Sequence, residues 1–277
     1  MMEDLMIGEW FKLTVLSSGS LVGVYIVFGL ILDRIEKLNI HYIASSLGKM
    51  GIMLTGCIGT VVHEFSHFVM CLLFGHRIVE VAWFRPIKGM KDGVLGYVQH
   101  SYTPTSLYQQ VGNFFIGIAP MLLGSIFILI LFRVCVPKAS RYYTAKVSEQ
   151  MQAIIKDFTV GNIIKGIFSQ IGALFKALWT KENIQKPSFW VFIIIAYSIS
   201  THMSLSLADL QGALTGLGVV LIGIVIISLI LSLIHLPVKK IVGLLIKYNV
   251  LLIGVFTMSI SFSLMTLLIS AIIYRIL

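Results

Sequence analysis

Six long apolar stretches alternate with more polar connections along this 277-residue chain. They cover approximately 13–32, 48–75, 111–135, 189–208, 212–236 and 249–274. Because about 20 apolar residues in helical form cover the hydrocarbon core of a bilayer, the pattern predicts an all-α membrane protein. We expect about six transmembrane helices in a single integral domain, residues 1–277, with the final span in 237–277.

The link between the fourth and fifth stretches reads LADLQGAL and contains Asp209 and Gly212. This pair of stretches is either two full spans or two broken helices that meet at membrane depth. Irregular backbone is tolerated there only beside protein or a water-filled cavity. Asp209 therefore lies at or near the depth of the apolar stretches.

Two connections between the stretches carry structural signals. At 78–100, the segments IVEVAWF and VLGYVQH flank a Gly/Lys/Asp turn, which predicts a β-hairpin, with an irregular loop as the alternative. The connection at 137–187 is longer and basic. Between Ile163 and Leu178 it has apolar residues at helical spacing. This predicts an amphipathic helix that lies on the membrane surface or packs against the spans.

Composition and charge support a membrane protein. Hydrophobic residues make up 57% of the chain and charged residues 12%, with a mean hydropathy of +0.95, whereas a soluble domain is about a quarter charged. The acidic start, MMEDLMIGEWFKL, lacks the positive region of a cleavable signal peptide, so we expect the first span to be retained. The three cysteines show no paired spacing typical of a disulfide framework or a thiolate zinc site.

The net charge of +9 lies mostly in the connections between stretches. In a membrane protein such charge favours anionic lipid head groups and not nucleic acid. We therefore expect contact with the lipid bilayer and no nucleic-acid partner. As the location of this multi-pass protein we expect a bacterial cell membrane.

Three ionisable residues interrupt the second apolar stretch: His63, Glu64 and His67. Histidines four apart share one face of a helix and can bind one Zn²⁺ at about 2.0–2.1 Å each. Glu64 is then within reach of a water on the metal. This is the H-E-x-x-H pattern of metalloproteases, in which the glutamate is the general base. Hydrogen bonding between helices is the structural alternative, and a bis-histidine heme is disfavoured because both rings address one side of a single metal.

A catalytic zinc site has three protein ligands, so one ligand must come from another segment. Met70 and Leu73 occupy the positions where an extended motif needs Gly and His. Asp209 is the first candidate because of its depth, and helix N-capping is its alternative role. His202 is the second candidate, and it could instead hold the substrate.

Three segments in this order resemble the site-2 protease family of intramembrane zinc metalloproteases. HEFSHFVMCLLFG is similar to the family's catalytic helix, GNFFIGIAPMLLG to its next core helix, and ADLQG to the motif with the last zinc ligand. The resemblance covers about 48–220. It implies a catalytic helix at 48–75, a hairpin at 78–100, a core helix at 111–135 and a third-ligand region at 189–220. The chain departs from the family at Ser66, where Gly is usual, and around Asp209, where Leu-Asp-Gly is common.

The resemblance implies a zinc endopeptidase whose metal is held by His63, His67 and Asp209, with Glu64 as the general base. Its substrate would be a transmembrane or membrane-associated protein or peptide, such as a regulator, a signal-peptide remnant or a peptide precursor. The hairpin would offer a strand edge to that substrate. The family places this hairpin toward the cytosol, whereas the distribution of basic residues places it outside, so the orientation stays open. We further expect four residues to support the substrate or the transition state: His202, Asn113, Gly96 and Tyr97.

A different class of function fits the same polar residues. Intramembrane histidine and carboxylate side chains also serve proton or metal relay. A membrane transporter or an ion-conducting or metal-conducting protein is therefore the alternative to a protease.

Overall fold

The computed structural model describes residues 2–157, 159–234 and 238–276, and helices make up most of this part. Residues 1, 158, 235–237 and 277, which end or interrupt several of the predicted segments, lie outside it. The helices are α1 Met2–Ser18, α2 Val24–Leu73, α3 Pro86–Asp92, α4 Leu107–Cys135, α5 Pro137–Lys156, α6 Val160–Leu178, α7 Lys181–Ile184, α8 Pro187–Ser200, α9 Leu207–Leu233 and α10 Val238–Ile276. A π-helical segment, Gly19–Gly23, joins α1 to α2, and the strands are β1 Arg77–Ala82 and β2 Tyr97–Ser101.

Among the described residues, four helical stretches are long and apolar enough to cross a membrane. They are Trp10–Leu73, Leu107–Cys135, Leu207–Leu233 and Lys240–Ile276. The first contains two of the six predicted spans, because α1, the π-helical segment and α2 follow one another without a loop. The predicted span at 189–208 is not one helix, since α8 has 14 residues, or about 21 Å, and ends at Ser200. Six separate crossings therefore stay a prediction.

Helix α2 contains a break at Gly48, where φ is 60° and ψ is −158°. Glycine adopts such a backbone conformation at little cost, whereas a side chain would strain it. The break divides α2 into a first half that carries Glu36 and a second half, 49–73, that carries the H-E-x-x-H residues. The two halves have different directions, and both face the cavity described below.

The predicted hairpin at 78–100 is confirmed as a two-stranded antiparallel sheet. Its register pairs Arg77 with Ser101 and Ala82 with Tyr97, and a bulge lies between Ile78 and Glu80. The connection is longer than the predicted turn, because the segment between the strands forms α3, which ends at a glycine. The second strand therefore begins three residues after the start of the segment VLGYVQH.

The connection at 137–187 folds as α5, α6 and the short α7. The predicted amphipathic helix corresponds to α6, whose Leu174 and Leu178 are fully buried in the main hydrophobic core. Helix α6 contacts α5 and α10. Of the two placements expected from the sequence, the structure favours packing against the other helices.

Helix α4 lies at the centre of the bundle, where it contacts α2, α5, α8, α9 and α10. Gly117 allows α9 to approach α4 closely, because a Cβ at this position would lie 2.5 Å from the Asp209 carbonyl oxygen and 2.6 Å from the Ala213 Cβ. The start of α9 is thus held next to Ile116 of α4. This packing brings residues from three separate helices to one place.

Candidate functional site

His63, His67 and Asp209 form a group that could hold a metal ion, with one potential ligand atom from each within 4.8 Å of the others. The two histidines lie one turn apart on α2, and their Nε2 atoms are 3.1 Å from each other. The Asp209 carboxylate comes from the first turn of α9. Its Oδ1 lies 3.0 Å from the His67 Nε2, and its Oδ2 lies 3.4 Å from the His63 Nε2.

Hydrogen bonds on the far side of each ring determine which nitrogen faces this group. The His63 Nδ1 donates to the His202 carbonyl oxygen at 2.8 Å, and the His67 Nδ1 donates to the Ile116 carbonyl oxygen at 2.9 Å. A carbonyl can only accept, so both Nδ1 atoms carry the proton. In the neutral form of such a ring the lone pair lies on the Nε2, and this is the form that binds a metal.

The sequence presents metal ligand and helix N-cap as alternative roles for Asp209, and the N-cap expectation is wrong. The N-cap of α9 is Ser206, and Asp209 is the third residue of the helix. The Ser206 Oγ accepts from the Asp209 N–H at 3.1 Å, while the Ser206 N–H donates to the Asp209 Oδ2 at 2.8 Å. This capping box orients the carboxylate at the histidines, so a capping bond and a place in the ligand group are compatible.

Glu64 lies beside the ligand group and is 7% exposed. No described residue forms a hydrogen bond or an ion pair with its carboxylate. Gly96, just before β2, packs directly on it, because a Cβ at Gly96 would lie 2.8 Å from the Glu64 Cγ and 2.9 Å from the Thr60 Cγ2. The expected closeness of Gly96 to the site is therefore found, and only glycine fits without displacing Glu64.

A cavity of about 840 Å³ joins these groups. It is lined by the three residues of the ligand group and by Glu64, and the four expected support residues line it as well: His202, Asn113, Gly96 and Tyr97. Most of the other lining side chains are apolar, and they come from α2, β2, α4, α9 and the segments that flank them. The tertiary structure thus brings every site residue expected from the sequence to one cavity.

The support residues differ in what their side chains offer. The His202 ring hydrogen-bonds the Thr55 Oγ1 at 3.2 Å, so the histidine approaches the ligand group with its backbone carbonyl and not with its imidazole. The Tyr97 hydroxyl donates to the Glu80 Oε1 at 2.6 Å, which raises the pKa of that tyrosine. Asn113 is 5% exposed, and its Nδ2 has no partner among the described residues.

His76 and His100 form a second imidazole pair, which no sequence pattern indicates. The His76 Nε2 donates to the Gln109 carbonyl oxygen at 2.8 Å, so the Nδ1 of a neutral His76 accepts from the His100 Nδ1 at 3.0 Å. His100 also lines the cavity. Burial, together with the nearby His76 and His67 rings, lowers the pKa of His100 to about 4. The pair meets only because the hairpin folds back onto the end of α2.

Glu36 is a further cavity residue that the sequence reasoning misses, since the hydropathy pattern places it in a connection between the first two apolar stretches. In the structure it belongs to α2 and lines the cavity. The buried positions Leu32, Ile35, Asn39 and Ile43 recur at helical spacing through this segment. That periodicity is the signal that could have extended the helix as far as Glu36.

Comparisons with protein-family models, with curated proteins and with solved structures find no match for this chain. The resemblance to site-2 proteases therefore rests on three short segments of sequence. The geometry of the ligand group and its cavity is the other support for a function.

Proposed function

We propose that this chain is an integral-membrane zinc metalloprotease that hydrolyses a peptide bond in a membrane-embedded or membrane-associated protein or peptide. The observation that carries the proposal is the orientation of the two imidazoles of the H-E-x-x-H residues. Carbonyl groups from two other segments, at Ile116 and His202, accept the Nδ1 protons. Hydrogen bonds of this kind accompany histidine ligands in metal sites, where they set the tautomer and the ring orientation.

The residues that would hold zinc are His63, His67 and Asp209. Two imidazole nitrogens and one carboxylate oxygen are a donor set of catalytic zinc sites. The two Nε2 atoms lie 3.1 Å apart beside the Asp209 carboxylate. In the neutral rings their lone pairs and this carboxylate would concentrate negative potential that fits a divalent cation. When bound, zinc would polarise the scissile carbonyl and lower the pKa of the attacking water.

Glu64 is the group that would move the proton. Its carboxylate is free of hydrogen bonds to described residues and lies in the same cavity as the ligand group. It would take a proton from the attacking water and deliver it to the amide nitrogen of the leaving chain as the C–N bond breaks. A positioned acid–base group of this kind contributes about 10²- to 10⁴-fold to the rate.

The substrate would enter as an extended strand along β2. This strand pairs with β1 on one edge only, and Gly96, Tyr97 and Val98 line the cavity. A peptide bond inside a helix is shielded by its own turns, so a substrate must be extended at the cleavage point. An exposed strand edge holds such a segment through backbone hydrogen bonds.

The same proposal includes six membrane crossings in a bacterial cell membrane. The break at Gly48 would separate the first two crossings. Helix α8 with the irregular segment 201–206 would form a broken crossing that meets the start of α9 at the ligand group. Irregular backbone in the membrane needs a covering of protein or a water-filled cavity, and the segment lies against the cavity described above.

The test is substitution of Glu64 by Gln in the full chain, purified and reconstituted in lipid vesicles with a pool of single-span peptides. Mass spectrometry would detect cleavage, and elemental analysis would give zinc per chain. We expect the wild type to cleave some of these peptides and Glu64→Gln to lose about 10²- to 10⁴-fold in rate with unchanged zinc content. Glu149→Gln, on the exposed side of α5, is the matched control and should behave as wild type.

Cleavage by Glu64→Gln at the wild-type rate would overturn the proposed role of Glu64. Vesicles also test the rival function, because they can report zinc uptake. Accumulation of zinc in vesicles, without any peptide cleavage, would favour a metal transporter.

A further inference from the structure

Glu36 is a carboxylate in the cavity to which the proposed reaction assigns no role. It belongs to the half of α2 that precedes the break at Gly48, and it lines the same cavity as Glu64 and the ligand group. Its Oε2 accepts the N–H of Ser204 at 2.7 Å, and its side chain is only partly exposed.

No described cation lies within ion-pair distance of Glu36. Carboxylates elsewhere in the described chain are matched with a basic side chain in four cases: Asp33 with Lys37, Asp92 with Arg85, Glu149 with Lys146, and Glu182 with Lys138 and Lys186. Three of them, Asp92, Glu149 and Glu182, lie on the surface, where water already stabilises the charge, whereas the partly exposed Asp33 does have a basic partner. A carboxylate that is partly removed from water gains much more from a counter-charge.

The basic groups of the cavity have other partners among the described residues. Lys49 donates its Nζ to the Met90 carbonyl oxygen at 2.8 Å, His202 is bonded to Thr55, and His63 turns its Nε2 toward Asp209. Apolar side chains, among them Ile40 and Met53, line the same cavity. The cation that would match Glu36 must therefore come from a bound molecule.

A single carboxylate that already hydrogen-bonds Ser204 is a poor site for a second metal ion, because hard divalent ions take six or more oxygen ligands. A lysine or arginine side chain needs fewer oxygen partners than a metal ion. It brings three to five N–H donors and a long apolar stem. Such a side chain matches both the negative charge of the Glu36 carboxylate and the apolar lining.

We propose that Glu36 selects the substrate, and that the peptide cleaved by this protein carries a lysine or arginine side chain close to the scissile bond. This inference rests on the proposed protease function. It names the substrate class for the same cavity.

Glu36 could instead serve only to position the segment 201–206. This segment supplies the His202 carbonyl to His63 and the Ser206 cap to Asp209, and Ser204 lies between the two. Substitutions of Glu36 distinguish the selecting role from the positioning role. In Glu36→Gln an amide oxygen still accepts the Ser204 N–H while the charge is lost, whereas Glu36→Lys reverses the charge.

The experiment uses three single-span peptides that differ at one position near the cleavage site, where they carry lysine, norleucine or glutamate. We expect the wild type to cleave the lysine peptide with kcat/KM about 10- to 100-fold above the norleucine peptide, the range for a partly buried charge pair. Glu36→Gln should abolish that preference, and Glu36→Lys should shift it to the glutamate peptide. Asp33→Asn, one turn earlier on α2 and paired with Lys37, is the matched control and should keep the wild-type preference.

Binding gives a readout that does not depend on turnover. In the Glu64→Gln background, the lysine peptide should bind about 10- to 100-fold more weakly once Glu36→Gln is added, with zinc content unchanged. If Glu36→Gln lowered kcat/KM by the same factor for all three peptides, the proposal would be overturned in favour of a positioning role. Cleavage that depends on Glu64 but does not distinguish lysine from norleucine would overturn this inference alone, whereas no cleavage of any peptide by the zinc-loaded wild type would overturn the protease itself.

Discussion

The hydrogen bond from the Ser206 N–H to Asp209 can be removed with little change in backbone conformation. Ser206 has φ of −64° and ψ of 165°, and proline is locked near a φ of about −65°. Ser206→Pro therefore keeps the backbone angle but lacks the N–H that donates to the Asp209 Oδ2 at 2.8 Å. Ser206→Ala is the matched control, because it retains this N–H and loses only the Oγ cap on the Asp209 N–H.

The expected magnitudes differ for the two variants. Loss of the serine cap destabilises the protein by about 1 kcal/mol, and this loss is common to both. A hydrogen bond to a charged group contributes about 1.5–3 kcal/mol. An outer hydrogen bond of a metal ligand typically changes metal affinity by about 10- to 100-fold, which at about 1.4 kcal/mol per tenfold falls in the same range. We expect zinc to bind Ser206→Pro about 10- to 100-fold more weakly than Ser206→Ala.

The assay is competition for zinc between a chromophoric chelator and the detergent-solubilised full chain. Circular dichroism would verify that helix content is equal in both variants. If the two folded variants bind zinc equally tightly, the capping bond does not orient Asp209 for the metal, and the reasoning about this carboxylate is wrong.

Gly96→Ala should displace Glu64, because the new Cβ would lie 2.8 Å from the Glu64 Cγ. We expect peptide cleavage to fall at least about 10-fold while zinc content stays constant. Unchanged cleavage would contradict the close packing of Gly96 on Glu64. His100 should make stability depend on pH. Its folded pKa of about 4 lies below the ordinary 6.5, so the unfolded chain binds more protons between these values. The free energy of unfolding is therefore higher above pH 6.5 and decreases as the pH falls toward 4. His100→Gln should flatten this part of the curve of Tm against pH. Equal curves for the two proteins would show that His76 and burial do not keep His100 neutral.

Local sequence patterns account for much of the fold. Apolar stretches of bilayer length predict the long helices, and the β-branched segments around a turn predict the two-stranded sheet. The same patterns predict the ends of the helices less accurately. The first two stretches run into one another across Gly48, and the span predicted at 189–208 ends at Ser200. Hydropathy reports an average over many residues, so it does not register one residue at which a helix bends or stops.

The candidate site divides in the same way. The spacing of His63 and His67 puts them on one face of a helix, and Ser206 stands three residues before Asp209, as a capping box requires. Both relations are local, because helix geometry relates residues three or four apart whatever surrounds them. From sequence, however, ligand and N-cap are competing roles for Asp209, whereas in the structure Ser206 is the N-cap and the Asp209 carboxylate faces the histidines.

By itself, the sequence determined that this protein is mostly helical, with apolar stretches long enough to cross a membrane, and that two histidines and a glutamate lie about one turn apart in an apolar helix. The tertiary structure decided the rest of the site: that Asp209 faces the histidines, that the carbonyls of Ile116 and His202 hold their rings, and that Glu36 lines the cavity. These contacts join residues between 49 and 168 positions apart. They depend on how closely the backbones of α4 and α9 approach each other and on the bend of α2 at Gly48. Sequence periodicity does not encode these distances between helices.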